Sequence, residues 1–216
     1  ETKVMMSDLW WNIMNKNIEK SAEIGIIGGT GIYDSTIFTV IDEIQIDTPY
    51  GETSDKVTIC KFNKKSIAFI PRHGKQHRIP PHKINYQANI YAMKKLGVNV
   101  ILAPSAVGSL KTEYKPGDIV LPDQFIDFTK KRNYTFYDGP KVCHISQAEP
   151  FCPDLRDIII KNLEQLKYQY HSLGTYICIE APRFSTKSES NYYRNLLKPD
   201  IIGMTWIPEC ILAREM

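Results

Sequence analysis

Glu23-Ile24-Gly25-Ile26-Ile27-Gly28-Gly29-Thr30-Gly31 is a short apolar run, rich in isoleucine, that ends in glycines. A strand buried on both faces carries such an unbroken apolar run, and glycines at its end let the chain turn tightly. The stretch therefore reads as the first strand of an open α/β sheet, with its loop where such sheets place ligands. Glycines there let backbone N–H groups and the Thr30 hydroxyl approach an anion. A dinucleotide-binding loop fits poorly. The third glycine of that motif would fall at Asp34, and no amphipathic pattern opens behind the loop. A plain glycine turn is the competing reading.

Working outward, Ile41 to Ile46 and Lys56 to Phe62 partly alternate and are joined through Thr48-Pro49-Tyr50-Gly51, as hairpin strands are. Ser66 to Ile70 is a third such run. Ile84, Ala88, Tyr91, Ala92 and Leu96 form a helical stripe closed by Gly97. Val98 to Ala103 and Ile119 to Leu121 read as strands, Leu155 to Leu166 as a helix, and Thr175 to Glu180 as a strand. Ser188 to Leu197 is a helix, Asp200 to Met204 a strand, and Pro208 opens a last helix. Thr129 to Pro150 is polar and aromatic without a period, a long excursion loop of the kind that carries function. The alternation predicts an α/β fold. It is one domain with a central mixed, largely parallel sheet flanked by helices, spanning residues 23–216 after an N-terminal extension, residues 1–22. An apolar helix cut off at Met216 leads us to expect a C-terminal strand and helix beyond it, so that the domain is C-terminally incomplete.

The composition narrows the function classes. With 43% hydrophobic and 24% charged residues in 216, the chain can bury a substantial core without staples. A net charge of +3 and no long Lys/Arg block argue against nucleic acid and membrane partners. Cys60, Cys143, Cys152, Cys178 and Cys210 are odd in number and lack C-x-x-C spacing, so they read as reduced thiols rather than a disulfide framework or zinc site. Asp8, Glu19 and Lys20 interrupt the apolar residues of the N-terminus and break any apolar core of a signal peptide there; a cytoplasmic location is expected.

Three further strand ends carry polar groups. Pro71-Arg72-His73-Gly74 sets an Arg fork beside an imidazole, a combination that grips oxyanions. With His77 and His82 it could instead suggest zinc, but Pro80 and Pro81 break the helix that would align them, and no metal is expected. A solvated basic loop is the plain alternative. Pro104-Ser105-Ala106-Val107-Gly108 offers another hydroxyl and amide. In Ile179-Glu180-Ala181-Pro182-Arg183-Phe184, a charged pair flanks Pro182 and a ring stands ready to stack on a planar ligand.

Together these motifs carry a family resemblance. The glycine loop, Thr48-Pro49-Tyr50-Gly51, Pro71-Arg72-His73-Gly74, Ile79-Pro80-Pro81-His82-Lys83-Ile84-Asn85-Tyr86, Asp123-Gln124-Phe125-Ile126-Asp127 and Gly203-Met204-Thr205 resemble the S-methyl-5'-thioadenosine phosphorylases of the purine nucleoside phosphorylase superfamily, from about Ile24 to Met216. The resemblance implies the nucleoside phosphorylase fold and phosphorolysis of S-methyl-5'-thioadenosine to adenine and 5-methylthioribose 1-phosphate. It implies no cofactor, inorganic phosphate being the co-substrate. It assigns Thr30, Arg72, His73, Ser105, the Ala106 amide and Thr205 to phosphate, Met204 to the ribose and Phe184 to the purine. His144 would reach a neighbouring subunit's 5'-thio pocket, which implies a homotrimer or hexamer. The purine's proton donor is expected beyond Met216, so no catalytic residue is named. A 6-oxopurine nucleoside phosphorylase, or a truncated and inactive form, is the alternative. Two departures stand out: Ala181 where the family has Gly, expected to strain the turn if φ is positive, and Trp206, expected to crowd Thr205.

Overall fold

The computed structural model describes residues 21–29 and 38–216. Thr30 and nearly all of the N-terminal extension lie outside these residues. The anticipated α/β order is present, with the hydrogen-bonded strands divided among a five-stranded, a four-stranded and a two-stranded sheet.

The first sheet has the order β2-β3-β4-β1-β5, with β1 at Ile24–Gly28, β2 at Thr39–Ile44, β3 at Val57–Phe62, β4 at Lys65–Pro71 and β5 at Val100–Leu102. β1 lies parallel between β4 and β5, pairing Ile24 with Ile67 and with Val100, which is why it is apolar along its whole length. β2, β3 and β4 are antiparallel, as the alternation predicted, and β2 is an exposed edge bent by a bulge between Val40 and Asp42. Gly25 has a packing reason. A Cβ there would lie 2.9 Å from the Met93 sulfur of helix α1, Tyr86–Lys95, which rests on β1. α1 starts at Asn85, whose side chain accepts from the Ala88 amide at 3.1 Å.

The second sheet runs β6-β11-β10-β8, with β6 at Gly108–Ser109, β8 at Gln124–Phe128, β10 at Thr175–Ile179 and β11 at Ile201–Gly203. β7, Ile119–Val120, and β9, Tyr170–His171, form the third, two-stranded sheet. β6 and β9 are two residues long and leave no periodic trace in sequence. β8 carries no clear strand signal in the sequence, because its polar residues, Gln124 and Asp127, interrupt the apolar run. Helix α2, Pro153–Gln165, falls where its stripe predicted. The helix expected over Ser188 to Leu197 is a short α3, Lys187–Tyr192, that widens into a π turn, Tyr193–Leu197.

Helix α4, Trp206–Glu215, connects the two larger sheets. Ile207 is extended (φ −109°, ψ 126°), so its regular turns begin at Pro208, as expected from the sequence. Ile207 packs with Tyr176, Cys178 and Ile201 of the second sheet, whereas Leu212 joins Ile27, Ile70, Ile90 and Met93 of the first. Each fully buried aliphatic side chain here contributes about 1.5–3 kcal/mol of transfer free energy. Among the described residues no helix is long and apolar enough to cross a membrane.

Candidate phosphate and nucleoside site

The C-terminal ends of β1, β4, β5 and β11 meet around one buried guanidinium. Arg72, which follows β4, is 1% exposed. Its backbone N–H donates to Gly28 O at 2.8 Å, continuing the β1–β4 pairing past the strand end. Its side chain donates to Ile27 O at 2.6 Å, to Pro104 O at 3.2 Å, and to both oxygens of Glu209 at 2.9 Å. Burial works against the Arg72 charge, but the Glu209 carboxylate outweighs it and holds the group above its ordinary value. Guanidinium has five N–H groups, and among the described residues these four bonds leave one, on Nη1, for a ligand. The open fork anticipated from sequence is thus corrected: its bidentate edge grips Glu209, because an unpaired buried charge would be far more costly.

His73, 8% exposed, sets Nδ1 2.9 Å from Ile79 O and stacks on His77 at 4.1 Å. A carbonyl only accepts, so Nδ1 carries the hydrogen, and burial pushes the ring's pKa below the ordinary value, favouring the neutral form. Its Nε2 is then an acceptor, suited to a P–OH of hydrogen phosphate rather than to a bare phosphoryl oxygen.

Ser105 and Thr205 bring their hydroxyls within 3.2 Å. Thr205 occupies the N-cap of α4 but makes no side-chain capping bond, so its hydroxyl is left to face Ser105. Its amide donates to the Tyr176 hydroxyl at 3.2 Å. That phenol reaches it because residue 203 is glycine; a Cβ on Gly203 would stand 2.5 Å from the Tyr176 oxygen. Trp206 does not fill the gap between the hydroxyls. Its indole donates to Ala103 O at 2.7 Å and packs on Tyr176 and Phe151 at 4.6 and 5.7 Å. Ser105, Ala106, Trp206 and Glu209 are among the residues that line a cavity of about 1160 Å³, together with Val100, Ile101 and Leu102 of β5.

The remaining candidates stand apart from this cluster. Met204 is half-buried against Ile177, Ile179 and Tyr193. Phe184 is 84% exposed, so the ring expected to lie against a purine faces solvent and stacks on no ring among the described residues. Its neighbour Arg183 forks onto Glu189 at 2.7 Å, where Thr186 and Glu189 form the capping box of α3. That fork, together with the Thr186 amide, lowers the Glu189 carboxyl to about 2. His144 is exposed on the long loop. Among the described residues no group of three or more His, Cys, Asp or Glu side chains is placed to hold a metal ion.

Two residues absent from the sequence reading organise the site. Glu209 had a visible signal: a lone carboxylate among Ile207, Pro208, Cys210, Ile211 and Leu212, which calls for a buried partner. Arg132 had none, following Lys130 and Lys131 in the aperiodic loop. Its side chain is 2% exposed and pairs with Glu180 at 3.1 Å. It also donates to Glu180 O at 2.8 Å, to the Tyr86 hydroxyl at 3.2 Å and to Ile207 O. One loop arginine therefore ties α1, β10 and the start of α4 together.

A family model described as the phosphorylase superfamily matches residues 23–216. The S-methyl-5'-thioadenosine phosphorylase of Saccharolobus solfataricus is 58% identical over 196 residues, 91% of this chain and 73% of the relative. That of Nitrosopumilus maritimus is 57% identical over 198 residues, 92% and 75% of the two chains. Among solved structures, a methylthioadenosine phosphorylase sourced from an Antarctic soil metagenomic library superposes with a TM-score of 0.88 at 47% identity, covering 91% of this chain and 69% of that one. A point mutant of the adenosine/methylthioadenosine phosphorylase of Schistosoma mansoni, in complex with methylthioadenosine, gives 0.85 at 38% identity, covering 90% and 75%. By sequence and by fold, this chain belongs to the phosphorylase superfamily, in the group of the S-methyl-5'-thioadenosine phosphorylases.

Proposed function

We propose that this chain catalyses phosphorolysis of S-methyl-5'-thioadenosine, releasing adenine and 5-methylthioribose 1-phosphate. The observation that carries the reading is identity above one half, over 91% of the chain, to a relative of that name. The clustered donors at the strand ends support it. A phosphate oxygen attacks C1' as the C–N bond to the purine breaks, and adenine leaves with the bonding pair and takes up a proton. The sugar passes through a cationic, oxocarbenium-like state, so the site must hold a phosphate anion beneath it. Ser105, Thr205, the Ala106 amide and the remaining Arg72 N–H are the proposed donors, and Thr30 is assigned to phosphate on the family resemblance alone. His73 accepts from the P–OH, and Met204 lies against the ribose. No residue of this chain is assigned the proton transfer to the purine. Phosphate is the co-substrate, and neither metal nor organic cofactor is invoked.

The proposed assembly is a homotrimer or hexamer in the cytoplasm. Two side chains idle within one subunit, the exposed Phe184 and His144, support it, with Phe184 on the purine and His144 closing the 5'-thio pocket of the next subunit. Mixing His144→Ala with Arg72→Ala subunits should restore some intact sites and some activity if the site is shared. For the reaction, turnover of methylthioadenosine and of inosine by the full-length protein, with and without phosphate, is decisive. Phosphate-dependent release of adenine is expected, and a clear preference for inosine overturns the reading.

A further inference from the structure

Arg72 and Glu209 form a buried pair, 1% and 3% exposed, in a protein whose surface could hold both charges at less cost. Pairs of this kind are often no more stabilising than apolar residues of the same size, so stability alone accounts poorly for it. Its location is more telling. Arg72 adjoins His73, and Glu209 follows Thr205 by four residues, just inside the regular part of α4 that begins at Pro208. The guanidinium touches the ends of β1 through Ile27 O and of β5 through Pro104 O, the residue before Ser105. Its Nε and Nη2 edge is filled by the two carboxylate oxygens. With that edge locked, the plane of the group has no freedom to rotate.

We propose that Glu209 is a positioning residue for phosphate: its carboxylate fixes the Arg72 plane so that the Nη1 edge stands at the end of β5, beside Ser105. The proposal rests on the reading of Arg72, Ser105 and Thr205 as phosphate ligands. Glu209 also cancels the Arg72 charge. The pair therefore meets phosphate as a directed N–H donor and not as a net cation. Two opposed effects follow from Glu209→Gln. Loss of the countercharge would draw phosphate in more tightly. Loss of the bidentate grip, with a glutamine N–H facing an arginine N–H, would let the guanidinium turn and weaken phosphate binding. A rigid donor outweighs bulk attraction here, because a single N–H is left to make the contact and its direction decides whether it forms.

The test is steady-state kinetics on the full-length protein with phosphate and methylthioadenosine varied separately. Glu209→Gln should raise the phosphate KM about tenfold, the order of one charge-assisted hydrogen bond, while the nucleoside KM stays within about threefold. Glu209→Asp keeps the charge but draws the carboxylate back by about 1.5 Å, and should shift the phosphate KM in the same direction. It decides the matter if the glutamine variant does not fold. A merely structural role would lower the active fraction, and with it kcat, with both KM values unchanged. That result, or a phosphate KM that falls or rises by less than about threefold, overturns the proposal. The underlying reading fails separately. It is lost if the parent protein shows no phosphate-dependent turnover, or if Arg72→Lys leaves the phosphate KM unaltered.

Discussion

The Ser105 and Thr205 hydroxyls, 100 positions apart in sequence, face each other at 3.2 Å and link the end of β5 in one sheet to the end of β11 in another. One hydroxyl donates and the other accepts, which fixes the donor's hydrogen, so the two should act as a unit on phosphate. Ser105→Ala and Thr205→Ala are each expected to lower kcat/KM for phosphate about tenfold, and the double variant by less than the product of the two. A double-mutant cycle in the phosphate kinetics checks this. Strictly additive losses would mean that the hydroxyls work independently.

Arg132→Met should loosen the long loop. The substitution leaves the Ile207 and Glu180 carbonyls and the Tyr86 hydroxyl without their donor, in surroundings where Arg132 itself is 7% exposed. Buried acceptors stripped of a charged donor cost on the order of 3 kcal/mol together. Urea unfolding should show that loss, and limited proteolysis should cut between residues 129 and 150 first. Arg132→Lys keeps the charge without the fork and should fall between the two.

Much of this arrangement was legible in the sequence, and the parts that were not share a cause. β1 was readable because a strand buried on both faces must be apolar throughout. β2 to β4 were readable because partly alternating runs flank a turn-rich segment, although β3 and β4 are buried on both faces along most of their length and only β2 is wet. Arg72, His73, Ser105 and Thr205 could be placed at strand ends, and the structure brings them together. What sequence could not supply is which partner a buried charge selects. The Arg72 fork looked open because Glu209 lies 137 residues away, on a helix read only for its apolar pattern. Arg132 was invisible for the same reason. A polar loop carries no period, so nothing marks which of Lys130, Lys131 and Arg132 turns inward. Phe184 and His144 were legible only through resemblance, and within one subunit both remain exposed.

Ala181→Gly should stabilise the protein. Ala181 has φ 73°, in the left-handed region that the sequence reading flagged as strained for a residue with a Cβ. Relief of about 1–2 kcal/mol, less the roughly 0.5–1 kcal/mol that glycine's freer unfolded chain takes back, leaves a gain of about 1.5 kcal/mol at most. A rise in Tm of a few degrees is the expected result. A fall in Tm would mean that the Ala181 methyl makes packing contacts worth more than the strain.

Acidification should remove stability in two separable windows. Glu180 lies 23% exposed; burial alone would raise its carboxyl, but the Lys130 and Lys131 amides and the Arg132 guanidinium donate to it and bring it below the ordinary 4.5. The unfolded chain then binds a proton first as pH falls, so the stability that Glu180 contributes is complete above about pH 4.5 and is lost as pH drops through the lowered folded value. His73 acts in the same direction at higher pH. Burial lowers its folded pKa below 6.5, so the unfolded chain again takes the proton first, and stability declines from about pH 6.5 downward. Urea unfolding across pH 7 to 3 should show both slopes. His73→Gln should flatten the profile just below about pH 6.5 and leave the acid limb intact, whereas Glu180→Gln should flatten it only below about 4.5. If Glu180→Gln changed the slope near neutrality instead, the three donors would not be holding an ionised carboxylate, and the loop would depend on Arg132 through its carbonyl contacts alone.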